Sequence, residues 1–157
     1  MSVSIQEGDF DLAAELAALR CSSSKAGAMV SFVGLVRDFS SDGKIENIFL
    51  EHYPGMTEKA LHKIILEATS RWNLLGVRVI HRVGALRPND QIVLVATATL
   101  HRSEAFAGCE FIIDYLKTAA PFWKKEQTGQ GAKWLETRES DVQRMEHWRG
   151  QAGGKTA

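Results

Sequence analysis

Apolar residues along this chain alternate between helical spacing and a two-residue period, and each change of period predicts a change of element. Helical spacing is clearest from Thr57 to Trp72, where one face of the segment is apolar. Capping residues and apolar spacing together predict helices over residues 10–20 behind Asp9, from Thr57 to Trp72, from a cap at Ser103 to about Ala119, and over Asp141–Trp148.

Extended segments rich in β-branched residues lie between these helices. The first, Ala26–Arg37, is apolar on both faces, which predicts a well-buried strand. Turn residues between consecutive segments predict antiparallel hairpins. The predicted pairs are Ala26–Arg37 with Ile45–Tyr53, Val77–Val83 with Gln91–Leu100, and Phe122–Gln127 with Ala132–Thr137.

The predicted order is a helix, two strands, a helix, two strands, a helix, two strands and a helix. This order favours an α+β fold with antiparallel hairpins and packed helices over a doubly wound parallel sheet. A chain of 157 residues fits one domain that buries about 70% of its unfolded surface without a disulfide or a metal. We expect a single domain over residues 1–148 and a disordered tail over residues 149–157.

Charge and cysteine usage restrict the class of protein. Nineteen Lys and Arg residues balance nineteen Asp and Glu residues, which argues against a broad nucleic-acid or acidic-membrane surface and for a local anion site. The sequence shows no signal-peptide pattern and no apolar run of membrane-spanning length. Cys21 and Cys109 lie far apart and have no CxxC partner. We expect a soluble cytoplasmic protein.

Known metal-binding and nucleophile motifs are missing from the sequence. The five histidines form neither an HxH nor an HExxH pattern, and no GxSxG or GxxxxGK[ST] segment occurs. We therefore expect neither a metal nor a cofactor, and lysine is the remaining candidate nucleophile.

The strongest chemical signal is a group of lysines around Pro121, with almost no counter-charge in the sequence nearby. Pro121 must end the preceding helix, so Lys117 falls in its last turn while Lys124 and Lys125 follow as the chain turns away. Lys117 and Lys124 can then converge on an anion. On these residues alone, a helix C-cap followed by two solvated lysines is the simpler interpretation.

Two further basic positions lie at the ends of predicted strands. His101 and Arg102 precede a helix, where free backbone N–H groups favour anions, although an ordinary cap explains them equally well. Arg37 follows the first strand beside a Ser- and Gly-rich loop and can bind a phosphate with two hydrogen bonds. His81 interrupts another strand, and we assign it no catalytic role, because an inward histidine is more often a hydrogen-bonded core residue.

Five ordered blocks of the chain, taken together, closely resemble the large, catalytic subunit of molybdopterin synthase. The resemblance runs from about Ala26 to Trp148. The blocks are Val30–Arg37, Leu50–Met56, Ile80–Gly84, His101–Ser103, and Asp114–Lys117 with Pro121–Glu126.

The resemblance implies an α/β-hammerhead-like fold and a sulfurtransferase of molybdenum cofactor biosynthesis. Such an enzyme converts cyclic pyranopterin monophosphate into molybdopterin. Its partner is a small ubiquitin-like subunit that carries sulfur as a thiocarboxylate on a C-terminal Gly-Gly. The large subunits form a homodimer at the centre of a heterotetramer, and neither nucleic acid nor a membrane takes part.

Carried over by motif, the resemblance implies that Lys117 and Lys124 are catalytic and that Arg37, His101 and Arg102 bind the substrate. Arg138 matches a further substrate-binding arginine, which the family offers across the dimer. We hypothesise that Lys117 transfers protons beside the incoming sulfur, while Lys124 holds the phosphate or the tail carbonyl.

Two other functions compete with this interpretation of the basic residues. A phosphate-ester hydrolase would use the same cations but lacks a visible nucleophile or metal motif. A dimeric scaffold would bind a peptide tail or nucleotide without turnover, but it would not require the paired Lys117 and Lys124.

Overall fold

The computed structural model of the protein describes residues 1–151, which form helices and strands that alternate along the chain. The helices are α1 (Leu12–Cys21), α2 (Met56–Trp72), α3 (Arg102–Ala119) and α4 (Glu139–Gln151). The strands are β1 (Ser2–Gln6), β2 (Ala28–Leu35), β3 (Phe39–Ser40), β4 (Gly43–His52), β5 (Gly76–Arg82), β6 (Gly84–Leu86), β7 (Gln91–Thr99), β8 (Phe122–Thr128) and β9 (Gly131–Leu135). This mixture confirms the α+β class.

The first sheet has the strand order β1-β5-β7-β2. Strands β5 and β7 pair antiparallel from Gly76 opposite Ala98 to His81 opposite Val93, which confirms one predicted hairpin. Strand β7 is buried along most of its length. Helices α2 and α3 cover one face of this sheet and form the main core with it.

The second sheet is built around β4, which pairs antiparallel with β8 on one side and with the short strands β3 and β6. Strand β9 pairs with β8, from Lys124 opposite Leu135 to Thr128 opposite Gly131. The last predicted hairpin is therefore confirmed. Ile45, Ile48 and Leu50 of β4 pack with Leu86 of β6 and with Val36 in a separate small core.

The predicted hairpin between Ala26–Arg37 and Ile45–Tyr53 is wrong. Strand β2 pairs with β7, while β3 and β4 form their own tight hairpin. The backbone of Val36 exchanges hydrogen bonds with Asp90 and Asn89, which fixes the end of β2 beside the start of β7. Sequence proximity favoured the neighbouring strand, but these long-range bonds decide the pairing.

Strand β2 also contradicts the prediction of a well-buried strand. It lies at the edge of the first sheet, and Met29, Phe32 and Leu35 have exposed fractions of 37%, 37% and 50%. Within residues 1–151 of the single chain, no neighbouring element fully covers these three apolar side chains.

The N-terminal segment differs from the prediction in two respects. Strand β1, which the sequence analysis missed, pairs parallel with β5. Asp11, and not Asp9, caps α1 by accepting a hydrogen bond from the backbone of Ala14 at 3.1 Å. Asp9 instead accepts hydrogen bonds from the backbone of Phe10 and the side chain of Gln91, which lower its pKa.

The ends of the last two helices also differ from the prediction. Ser103 does not cap α3, because the N-cap position belongs to His101 and makes no side-chain capping bond. Helix α4 begins at Glu139 and continues through Gln151, three residues into the predicted tail. The rest of that predicted tail, residues 152–157, lies outside the described residues. Within residues 1–151, no helix has the length and apolarity needed to cross a bilayer.

Candidate active site

A pocket of about 690 Å³ opens where the C-terminal end of α3 meets the second sheet. Its walls come from the end of β2, the last turns of α3, the start of β8 and the segment between β9 and α4. Gly34 lines the β2 side and lets Val93 pack closely against it, because a Cβ atom there would lie 2.7 Å from Cγ1 of Val93. A pocket of this size fits a small organic ligand.

Four of the six predicted site residues line this pocket: Arg37, Lys117, Lys124 and Arg138. They come from four separate parts of the chain, which are the segment after β2, the last turn of α3, strand β8 and the segment before α4. Only tertiary folding brings them together. The wall is therefore rich in cations on a protein with a formal net charge of zero.

The chain reversal at Pro121 explains how two lysines reach one pocket. Ala120 leaves the helical conformation with φ −85° and ψ 136°, as expected for a residue before proline. Helix α3 therefore ends at Ala119, and β8 begins at Phe122 after a single turn. Alternation along β8 then places Lys124 on the same face of the strand as Phe122, while Lys125 points to the other face.

Lys124 has a counter-charge that the sequence analysis missed. Its Nζ lies 3.2 Å from Oε1 of Glu126, whose side chain is almost fully buried. Within the described residues this oxygen accepts no well-aligned hydrogen bond, so the contact is an ion pair with poor hydrogen-bond geometry. The signal was available, because residues 124 and 126 share one face of a strand.

His81 and Phe122 form part of the pocket floor, where the two sheets meet. Their rings are stacked with centroids 3.8 Å apart and planes inclined by 18°. Nδ1 of His81 lies 2.8 Å from the carbonyl oxygen of Arg82. Burial lowers the pKa of His81 to about 4, the bond to the Arg82 carbonyl opposes that shift, and nearby His52 adds to it. The ring is therefore neutral at physiological pH.

His101 and Arg102 do not line the pocket on this chain. Both are exposed and lie at the N-terminal end of α3, whereas Lys117 lies in its last turn. At 1.5 Å of rise per residue, Arg102 and Lys117 are about 22 Å apart along the helix axis. A single chain therefore does not gather all six predicted residues.

Asp114, one turn before Lys117, anchors α4 to α3. One carboxylate oxygen accepts a hydrogen bond from the indole N–H of Trp148 at 2.9 Å, and the other accepts one from Nε of Arg144 at 3.0 Å. The bond to Asp114 is the main reason that the pKa of Arg144 is raised. Since Arg138 immediately precedes α4, this anchor also holds its segment against the pocket. The sequence analysis quoted Asp114 in a motif but gave it no role.

No group of three or more His, Cys, Asp or Glu side chains within residues 1–151 is arranged to hold a metal ion. The side chains that line the pocket carry amines, guanidinium groups, carboxylates, hydroxyls and the imidazole of His81.

Comparisons with known proteins agree with the resemblance seen in the sequence. The family model described as MoaE protein matches residues 5–119. A molybdopterin synthase catalytic subunit from Ralstonia nicotianae is 57% identical over 147 residues, covering 94% of this chain and 84% of the relative. One from Pseudomonas aeruginosa is 50% identical over 148 residues, covering 94% of this chain and 99% of the relative.

A solved structure gives the same result for the fold. The molybdopterin biosynthesis MoaE protein from Burkholderia ambifaria superposes with a TM-score of 0.82 at 53% identity, covering 94% of this chain and 97% of that one. The family model spans most of the chain, and the relatives match it over nearly their whole length. This chain belongs to the MoaE protein family.

Proposed function

We propose that this chain is the catalytic subunit of a molybdopterin synthase, a sulfurtransferase of molybdenum cofactor biosynthesis. The names of its relatives support this activity. The observation that carries the proposal at the level of residues is the convergence of Arg37, Lys117, Lys124 and Arg138 on one pocket. The substrate is cyclic pyranopterin monophosphate, and the product is the dithiolene of molybdopterin.

The charge of the pocket matches the charges of both reactants. The substrate carries a cyclic phosphate and the sulfur donor is a thiocarboxylate, so the two anions repel each other until cations lie between them. Arg37 and Arg138 are suited to the phosphate, because guanidinium groups bind phosphate oxygens in pairs. Each thiocarboxylate gives one sulfur atom to the pterin side chain and leaves as an ordinary carboxylate, and the cyclic phosphate opens to a monoester.

The two lysines have different surroundings, which supports different roles. Lys117 is exposed at the end of α3 and makes no ion pair among residues 1–151, so its amine is free to exchange protons with the reacting groups. Lys124 is held by the buried carboxylate of Glu126 and is suited to a fixed position. We assign proton transfer to Lys117, and binding of the phosphate or of the tail carbonyl to Lys124.

The sulfur donor is a small partner subunit with a C-terminal Gly-Gly thiocarboxylate. A tail of two glycines is narrow and has no side chains, so it can enter a pocket that already holds a pterin. The segment from Leu135 to Arg138 lies at the pocket and follows the edge strand β9. The body of the partner would remain outside while its tail reaches Lys117.

A homodimer explains why two predicted site residues lie outside the pocket. Strand β2 is a sheet edge with exposed apolar side chains, which is the kind of surface that another strand covers. Its first residue pairs with Thr99, beside His101, whereas its last residues line the pocket. Two copies paired antiparallel along β2 would place the start of one β2 against the end of the other.

In that dimer, His101 and Arg102 of each copy would approach the pocket of the other copy. They would add an imidazole and a guanidinium group to a site that Arg37, Lys117, Lys124 and Arg138 form within one chain. Arg138, for which the family resemblance implies a role across the dimer, already lines the pocket of its own chain. We therefore assign the contribution across the dimer to His101 and Arg102.

We place the reaction in the cytoplasm and the activity in one domain over residues 1–148. Both cysteines are unpaired, and Cys21 is exposed, which suits a reducing compartment. The lining of the pocket comes from β2 through the start of α4, so the catalytic unit needs nearly the whole described chain.

The test is reconstitution of the reaction with purified components. The chain is mixed with a thiocarboxylated small subunit and cyclic pyranopterin monophosphate, and the dithiolene product is measured. We expect product that depends on the thiocarboxylate. A stable complex without product would indicate a scaffold, and release of the phosphate without sulfur incorporation would indicate a hydrolase.

A further inference from the structure

His81 occupies a part of the pocket to which the proposed function gives no role. Its side chain is on the face of β5 that packs towards α2 and α3, and it extends that apolar face to the pocket floor. Phe122 covers one side of the ring as a parallel stack. The imidazole is therefore held in one orientation by its neighbours.

The hydrogen bond of His81 identifies which ring nitrogen carries the proton. Nδ1 lies 2.8 Å from the carbonyl oxygen of Arg82. A carbonyl oxygen only accepts hydrogen bonds, so Nδ1 is the donor. The neutral ring then has an unprotonated Nε2, which can only accept. Burial lowers the pKa of His81 to about 4, in agreement with a neutral ring.

Nε2 is available to a ligand. The structure gives it no hydrogen-bond partner among residues 1–151. His81 keeps an exposed fraction of 6%. The open space that His81 borders is the pocket.

An acceptor at the floor complements the rest of the pocket. Arg37, Lys117, Lys124 and Arg138 can bind the oxygens of the substrate, but as cations they only donate hydrogen bonds. The carboxylates of Glu136 and Asp141 also border the pocket, but both lie between β9 and the first turn of α4, whereas His81 offers an acceptor on β5. A pterin has both a ring N–H and an amino group, and these groups need acceptors once they leave water.

We propose that His81 is a substrate-binding residue whose unprotonated Nε2 accepts a hydrogen bond from an N–H group of the substrate's pterin ring. Phe122, stacked on one face of the imidazole, holds the ring so that its Nε2 edge selects a heterocycle with an N–H group. Arg37 and Arg138 hold the phosphate end, and His81 determines which way round the ring lies. This inference rests on the proposed function, since it takes the pterin as the ligand.

Three variants separate the two nitrogens of the ring. His81→Asn keeps a donor near the position of Nδ1 but does not reach the position of Nε2. His81→Gln places an amide oxygen near Nε2, and His81→Phe keeps the stack without either nitrogen. The matched control is His62→Asn, because Nδ1 of His62 also contacts a backbone carbonyl at 2.7 Å, on an exposed face of α2 away from the pocket.

We expect KM for cyclic pyranopterin monophosphate to rise about five- to tenfold in His81→Asn and His81→Phe, as for loss of one hydrogen bond in a site without water. His81→Gln should stay within about twofold of wild type because its amide oxygen replaces the acceptor. His62→Asn should be unchanged, and kcat should change little in all four. An unchanged KM in folded His81→Asn and His81→Phe would overturn the proposal.

A measurement on the unmodified protein covers the case in which a variant fails to fold. Nitrogen-15 NMR of the histidine side chains should show His81 with a protonated Nδ1 and an unprotonated Nε2. Adding cyclic pyranopterin monophosphate should shift the Nε2 resonance in the direction of an accepted hydrogen bond. An Nε2 chemical shift that stays the same at saturating substrate would contradict the inference.

The two proposals fail in different ways. If the wild-type chain makes no dithiolene in the reconstituted reaction, the proposed function fails, whatever the His81 variants do. If the wild type is active while neither KM nor the Nε2 resonance responds as described, only the role of His81 is lost.

Discussion

The two ends of helix α3 carry similar charges in different surroundings. At its C-terminal end, Lys117 faces a pocket that also contains Arg37, Lys124 and Arg138. At its N-terminal end, His101 and Arg102 are exposed and border no part of that pocket. Chain reversal at Pro121 and the segment before α4 build walls around the first end only.

This difference shows that a cationic motif becomes a site only where the fold closes around it. The C-terminal end of α3, which carries Lys117, is complete within one chain, and we call it the closed end. The N-terminal end, which carries His101 and Arg102, we call the open end. It acquires a function only if it reaches the pocket of a second copy, as we propose for the dimer along β2. The predictions below test each end and the assignment that connects them.

The largest effect is expected from the lysines at the closed end. Replacement of Lys117 or Lys124 by Ala should lower kcat about 10²- to 10⁴-fold, because it removes a proton-transfer group or a fixed positive charge from the reacting anions. Single-turnover formation of molybdopterin measures the loss. Lys63→Ala is the control, since Lys63 is exposed on α2 outside the pocket, and an equal loss there would remove the special role of the pocket lysines.

Mixing two inactive variants tests whether the open end acts across a dimer. Arg102→Ala and Lys117→Ala should each have little activity, but subunit exchange between them should restore about a quarter of wild-type activity. About half of randomly mixed dimers contain both variants, and each of these has one intact site of two. Lys117→Ala mixed with Lys124→Ala is the control and should recover nothing, because both residues belong to one chain's pocket. No recovery in the first mixture would contradict a contribution of Arg102 across the dimer.

A smaller loss is expected when the counter-charge at the closed end is removed. Glu126→Gln should lower kcat about tenfold with little change in KM, because Lys124 keeps its charge but loses the carboxylate 3.2 Å away that holds it in place. Steady-state kinetics separate the two constants. A rise in KM alone would mean that Glu126 shapes binding and not the position of Lys124.

The anchor behind the closed end should affect stability more than catalysis. Asp114→Asn should lower the free energy of unfolding by about 1–3 kcal/mol, because a buried carboxylate that accepts from Trp148 and Arg144 is replaced by a neutral amide. Glu110→Gln is the control, since it breaks only the exposed contact with Arg144 and should change stability by less than about 1 kcal/mol. Urea unfolding followed by circular dichroism measures both.

The last effect, which appears only at acidic pH, is a pH dependence of stability at the pocket floor. The folded-state pKa of His81 is about 4 against 6.5 for the free side chain, so the unfolded chain binds a proton there that the folded chain does not. The contribution of the neutral His81 ring to the free energy of unfolding is fully present above pH 6.5 and is lost as the pH falls to about 4. This contribution is on the order of 3 kcal/mol at most. His81→Phe should remove this part of the acid dependence of the urea midpoint. An identical dependence in both proteins would contradict the neutral, buried ring.

Sequence patterns were sufficient where a feature depends on local periodicity. The extent of α2, the end of α3 before Pro121 and the antiparallel pairing of β5 with β7 follow from apolar spacing and turn residues. The convergence of Lys117 with Lys124 also follows, because one proline sets the geometry between them.

Features that depend on long-range contacts were not predictable in this way. Strand β2 was assigned to the nearest strand, although hydrogen bonds from Val36 to a turn more than fifty residues away direct it to β7. The apolar residues of β2 looked like a core pattern, because an edge strand with exposed apolar side chains can have the same composition as a buried strand. Whether His101 shares a pocket with Lys117 depends on the assembly.

The central claim is that the cations at the closed end of α3 hold the phosphorylated pterin, with the open end of a second copy completing the site. A crystal structure of the chain with cyclic pyranopterin monophosphate tests it most directly. We predict the substrate phosphate within hydrogen-bond distance of cations from Arg37, Lys117, Lys124 or Arg138 of one copy and of His101 or Arg102 of the other. A substrate bound elsewhere, or bound by one chain alone while Arg102 faces solvent, would contradict the account.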